Sequence, residues 1–109
     1  MMEKRDRKRF LKRLFVRFGQ ETTDRCGFTH DLSSNGIFVT SNFSFPPGTR
    51  LALALTLPDE KTIQLSGTVR WAKRTPPAIS RLIPKHGMGI DLLEIPAEYM
   101  SLIEKFRSG

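Results

Sequence analysis

"RLALALTLPDEKTIQLSGTVRWAK", residues 50–73, reads as two strands around a turn. Leu51, Leu53, Leu55 and Leu57 take every second position, so an extended chain puts all four on one face. Asp59, Glu60 and Lys61 supply a polar turn. Ile63, Leu65, Val69 and Trp71 carry the alternation onward, and Gly67 interrupts it as a bulge or a close backbone approach does. Two alternating runs joined by a short turn predict an antiparallel hairpin with one face on a core.

The same pattern extends in both directions. Upstream, "RLFVRF" (13–18) suits a first strand, "CGFTHDL" (26–32) alternates, and "GIFVT" (36–40) is rich in β-branched and aromatic residues. "SFPPG" (44–48) breaks the pattern. Downstream, "RTPPAISRLIPKH" (74–86) carries three prolines and reads as a long loop, and "GMGIDLL" (87–93) as a last strand. "PAEYMSLIEKFRSG" (96–109) is a helix, with Pro96 suited to its first turn. Tyr99, Leu102, Ile103 and Phe106 form its apolar stripe, which fits a helix covering a sheet or plugging a barrel end. The expected fold is mainly β: a six-stranded antiparallel β-barrel with a C-terminal α-helix. Closure into a barrel removes the exposed sheet edges.

The chain has 109 residues, which favours one small domain. No run approaches the roughly 18 apolar residues of a membrane span. The charged first residues, with no apolar stretch after them, argue against a secretory signal. Cys26 is the only cysteine, so no intramolecular disulfide forms, and it reads as a small half-buried side chain. Together these point to the cytoplasm. The formal charge is +7, and residues 3–17 hold eight basic residues against two acids. A basic segment of this kind expects an anionic partner: nucleotide, nucleic acid, acidic protein or membrane surface. The division expected is a flexible basic arm over residues 1–12 and a barrel with its helix over 13–109.

"DLSSNG" (31–36) lies between two of the expected strands, where a plain polar turn would serve. It carries Asp31, Ser33 and Gly36 as D-x-S-x-x-G. About twenty residues before it, the arm carries Arg5-x-x-x-Arg9. R-x-x-x-R recurs at Arg9/Arg13 and Arg13/Arg17, but only the Arg5/Arg9 register precedes the strand pattern. Arg13 and Arg17 fall at the start of the strand or inside it and are expected to face solvent. The two motifs, in this order and spacing, resemble the PilZ family of small β-barrels that bind the bacterial second messenger cyclic di-GMP. Gly67, Val69 and Trp71 (G-x-V-x-W), and Gly87, Gly89 and Ile90 (G-x-G-I), are similar to later strands of that family. The resemblance covers nearly the whole chain. Its departures are the length of the 74–86 segment and Leu92, where the family often has an aromatic.

The resemblance implies a cyclic di-GMP site formed by Arg5, Arg9, Asp31, Ser33 and Gly36, and the chemistry suits that ligand. An arginine fork engages guanine O6 and N7 or a phosphodiester. A carboxylate at Asp31 can accept from guanine N1–H and N2–H₂. The Ser33 hydroxyl is small enough to reach a base or phosphate, and Gly36 permits φ > 0 and a close ligand approach. Two further positions come with the family. Lys4, next to the arginine motif, leans toward a stacked pair of nucleotides over a single one. Trp71 is placed near the guanine, in competition with a core or barrel-rim role. Asn35 is expected to be a turn residue.

The function implied is that of a receptor or adaptor. Cyclic di-GMP orders the arm, and the new surface regulates an unidentified downstream protein. A single-strand nucleic-acid barrel is the alternative, but its aromatics would interleave with basic residues on one face, whereas here the basic residues crowd the arm. A nucleotide-free PilZ-like adaptor is a third reading, and the retained signature argues against it. No enzyme is expected. His30 and His86 lie on separate strands and read as structural, no nucleophile and base are paired by spacing, and no metal-ligand cluster exists. No cofactor is implied beyond the nucleotide ligand.

Overall fold

The computed structural model describes residues 8–74 and 86–108, apart from the side chain of Arg74. Its elements are β1 (Phe10–Leu11), β2 (Phe15–Gly19), β3 (Arg25–Leu32), β4 (Gly36–Ser41), β5 (Arg50–Thr56), β6 (Thr62–Arg74), β7 (His86–Glu94) and α1 (Ala97–Ser108). Strands β2 to β7 close an antiparallel barrel in the order β3-β2-β5-β6-β7-β4, with β4 pairing back onto β3. This is the expected six-stranded barrel with a C-terminal helix. The interior-facing residues of the opening hairpin behave as their spacing requires: Leu51, Leu53, Leu55, Ile63, Leu65 and Val69 are all buried. Tyr99, Leu102 and Ile103 of the helical stripe are buried with them, and Phe106 packs at the edge of the same core. Pro96 stands just before the helix, where its carbonyl accepts from the Tyr99 and Met100 amides. No helix among the described residues is long and apolar enough to cross a membrane.

Three local expectations are corrected. Cys26 is exposed, not half-buried, because the alternation of β3 turns it outward with Phe28 while Gly27 and Thr29 face in. Gly36 does not have positive φ, since Gly48 is the described glycine with that conformation. The amide of Ser33 donates to the Gly36 carbonyl at 2.9 Å, which closes the β3–β4 hairpin with Gly36 already in extended backbone as the first residue of β4. Trp71, for which a core or barrel-rim place was the competing reading, is not in the core: it is 42% exposed on the outside of the barrel. A register shift between Val69 and Trp71 takes it out of the inward alternation. A second shift between Ser66 and Gly67 is the bulge expected at that glycine.

A short strand outside the six of the barrel lies within the arm expected over residues 1–12. Phe10 and Leu11 pair with Leu32 and Asp31 of β3, and Phe10 is buried in the core. The segment between β1 and β2 is fastened by one side chain. The buried Thr29 hydroxyl accepts from the Leu14 amide at 2.8 Å and donates to the Lys12 carbonyl at 2.6 Å. A threonine thereby supplies hydrogen bonds where the ladder beside β3 is interrupted. Arg5 and Lys4 lie outside the described residues, as does segment 75–85 of the expected loop. Arg74 and His86, which flank that segment, pair with each other at the ends of β6 and β7.

Candidate functional site

The hairpin loop between β3 and β4, the β1 strand and helix α1 meet at one end of the barrel. Arg9, directly before β1, donates from Nε to Asp31 Oδ1, and its Nη1 lies 3.4 Å from Ser33 Oγ. Residues 22 and 24 positions apart in sequence are thus gathered by the β1–β3 pairing. The Asp31 side chain is nearly buried, while that of Arg9 is 44% exposed. The other Asp31 oxygen, Oδ2, lies 2.8 Å from His30 Nδ1. A register shift between Thr29 and Asp31 on the β4 side brings His30 and Asp31, neighbours in sequence, to the same locality. His30 therefore does more than the structural role expected of it: it braces the carboxylate.

Ser33 is fully buried. Its hydroxyl lies 3.1 Å from Asn35 Oδ1 and 3.4 Å from the Gly36 carbonyl, so its visible work is to hold the loop and to meet Arg9. Asn35 is the turn residue expected, and its carbonyl accepts from the Leu92 amide of β7. A Cβ on Gly36 would stand 3.2 Å from the Ile90 carbonyl and 3.8 Å from Arg9 Nη1. What the glycine provides is a close approach to the β7 backbone, not an unusual backbone angle: an added Cβ would crowd the Ile90 carbonyl and meet Arg9 only at ordinary contact distance.

Beside this cluster is a cleft of about 440 Å³, lined by Arg9, Asp31, Asn35, Gly36, Phe38, Arg70, Trp71, Gly89 and Asp91 among others. That volume lies within the roughly 300–1,000 Å³ of small-ligand sites. Its aromatic wall is Phe38 and Trp71, with ring centroids 5.1 Å apart, and His30, outside the lining, packs behind Phe38 at 5.3 Å. The rings lie over the glycines of "GMG". A Cβ on Gly87 would meet the Phe38 ring at 2.6 Å, and one on Gly89 the Trp71 indole at 2.2 Å. The outward-facing glycines of β7 are the floor on which the wall rests. Arg13 and Arg17 are exposed as expected, and neither lines the cleft. Arg13 instead stacks on Phe28, its guanidinium carbon 3.7 Å from the ring centroid.

Helix α1 is tied to the loop from beneath. The buried Tyr99 hydroxyl donates to the Ser33 carbonyl at 2.7 Å. Burial pushes this hydroxyl well above the ordinary tyrosine range; Arg9 opposes the shift and Asp31 adds to it. Tyr99→Phe leaves that loop carbonyl without its closest side-chain donor and is expected to cost about 1–2 kcal/mol, read by urea denaturation. A pKa raised in the folded state means that the unfolded chain ionises first. The stability that Tyr99 contributes is present below about pH 10 and is lost as pH rises further. The phenylalanine variant should lack that part of the alkaline loss.

His30, Phe38, Arg70, Asp91 and Tyr99 were not singled out from sequence as parts of the site. The signal for the aromatic wall was present in the "G-x-G" of β7, because glycines at alternate outward positions leave room for large neighbours. Among the described residues no group of three or more histidines, cysteines and carboxylates is arranged to hold a metal ion.

The chain belongs to the PilZ domain family, whose model matches residues 3–107. No curated protein sequence matched the chain. Among solved structures it is similar to the Bacillus subtilis inhibitor of motility (MotI/DgrA), with a TM-score of 0.70 and 25% identity over 92% of this chain and 48% of that one. This chain thus spans about half the length of the Bacillus protein. It shares its fold with the PilZ domain with c-di-GMP of YcgR from Escherichia coli, at a TM-score of 0.68 and 11% identity over 90% of this chain and 84% of that one. It also shares the fold of the PilZ domain of CeSA from a cellulose-synthesizing bacterium, at a TM-score of 0.59 and 17% identity over 93% and 96% of the two chains.

Proposed function

We propose that this protein is a cytoplasmic cyclic di-GMP receptor that regulates a partner protein and carries out no catalysis of its own. The observation that carries the reading is the seating of Arg9 on Asp31 and Ser33 at the mouth of an open cleft. Membership of the PilZ family and the shared fold with a domain solved together with c-di-GMP support it. A guanidinium has five N–H donors, and its contacts to Asp31 and Ser33 use two. Among the described residues the other donors have no partner, and they can meet a phosphodiester or a guanine edge. Asp31, braced by His30, offers acceptors to guanine N1–H and N2–H₂, and Trp71 offers a half-open ring for a base to stack on. Arg5 supplies the second fork and Lys4 a further cation, both by their places in the family motif. Gly36 lets the start of β4 lie close against the β7 backbone beside Arg9, and the Ser33 hydroxyl holds the loop that presents Asp31.

Binding would be transmitted along the chain. Arg9 is followed directly by Phe10, whose ring lies 5.9 Å from that of Phe106 on α1, and Tyr99 of the same helix holds the Ser33 carbonyl. A ligand that draws on Arg9 and Asp31 therefore acts on both ends of the chain at once. Isothermal titration of the folded protein with cyclic di-GMP, with GTP as the control, tests the reading. Saturable binding of the cyclic dinucleotide alone is expected. Two molecules per chain would give Lys4 the role of favouring the stacked pair. Absence of heat in folded protein overturns the receptor reading and directs the search to nucleic-acid or protein partners.

A further inference from the structure

The cleft holds a guanidinium that the family signature does not use. Arg70 on β6 lines it together with Trp71, although the two are adjacent in sequence. In a regular strand adjacent side chains point to opposite faces. Here both are exposed, and the register shift between Val69 and Trp71 lies between the inward part of the strand and this pair. Bulges beside binding sites characteristically re-aim a side chain in this way.

Arg70 Nη1 is ion-paired with Asp91 Oδ2 on β7. Asp91 is the register partner of Gly36, so its carboxylate stands next to the signature loop. A carboxylate there carries the wrong charge for a phosphodiester ligand, and Arg70 masks it. The two side chains are 68% and 49% exposed, so solvent screens the pair and it is weakly held. Arginine pairs with carboxylate and phosphate through the same planar fork. An exchange of one anion for the other needs no new geometry at the guanidinium.

We propose that Arg70 is a ligand-binding residue that leaves Asp91 to take a phosphodiester of the bound nucleotide, and that Asp91 sets affinity as the competing anion. This rests on the reading of the cleft as a cyclic di-GMP site. The exchange gives the protein two opposed controls on one ligand, a cation that pulls it in and a carboxylate that holds the cation back.

The test is a double-mutant cycle read by titration with cyclic di-GMP. Arg70→Ala is expected to weaken binding about tenfold, and Asp91→Asn to tighten it several-fold. Arg70→Ala made in the Asp91→Asn background must weaken binding by about tenfold or more, because the fork no longer has a competitor there. If the loss disappears in that background, Arg70 only masks Asp91 and does not touch the ligand. If neither single substitution changes affinity while the unaltered protein binds, the proposal fails and the receptor reading stands. Absence of binding by the unaltered protein overturns both. Both side chains are exposed, so the thermal midpoints of the variants should match that of the parent and exclude misfolding as a cause.

Discussion

Arg9→Ala is expected to lower affinity for cyclic di-GMP by about 100-fold or more, close to abolishing binding in a calorimetric titration. Two losses combine. The fork that would engage the nucleotide is removed, and a charge-assisted contact contributes about 1.5–3 kcal/mol, where each 1.4 kcal/mol is a factor of ten. The Asp31 carboxylate is also released from its arginine and, among the described residues, keeps His30 against it. An unmasked carboxylate in the cleft repels a dianionic ligand. Arg9→Lys separates the two effects, because lysine restores the charge beside Asp31 without the planar fork, and it should recover only part of the affinity. The fold should tolerate both changes. With the Arg9 side chain 44% exposed, the stability loss should stay near 1 kcal/mol by denaturation. A variant that binds as tightly as the parent would remove Arg9 from the site, and with it the observation on which the receptor reading stands.

What the sequence made legible here, and what it did not, follows the range of the interactions involved. The alternation of Leu51, Leu53 and Leu55 is a local property of an extended chain, and burial follows from it directly. Asp31, Ser33 and Gly36 were legible as neighbours for the same reason, since they span one hairpin, from the end of β3 through the loop to the first residue of β4. Trp71 was legible only through the family resemblance, because its own neighbours put it in the inward alternation and a register shift against β7 turns it outward. Arg70 was not legible, since it looks like any outward cation until its partner Asp91 and the cleft are known. Gly36 suggested a left-handed turn residue, but the hairpin closes through the Ser33 amide and leaves it extended. In the basic arm, charge density argued for solvent and hid the one ring that does the anchoring. The meaning of Phe10 depends on Phe106, which lies at the other end of the chain.

That ring gives the second large effect. Phe10→Ala is expected to destabilise the domain by about 2–4 kcal/mol, since large-to-small changes at buried aromatics lose both transfer free energy and packing. A small domain holds only about 5–15 kcal/mol in total, so the loss is a sizeable fraction and should appear as a clear fall in the urea midpoint. The further consequence is for binding. Phe10 and Leu11 form the only two residue pairs by which β1 meets β3 in the described structure, and Arg9 sits immediately before them. Without the Phe10 ring against Phe106, Arg9 loses the buried side chain next to it, and the nearest remaining core anchor is Leu14, so the ligand must order more of the arm at its own expense in conformational entropy. Affinity should therefore fall even though Phe10 does not line the cleft. Phe10→Leu, which keeps an apolar side chain in the same place, should restore most of both quantities. If stability falls while affinity stays unchanged under conditions where the variant is fully folded, the arm is positioned by something other than its packing on the C-terminal helix, and the route from the nucleotide to that helix must run through Tyr99 and the Ser33 carbonyl alone.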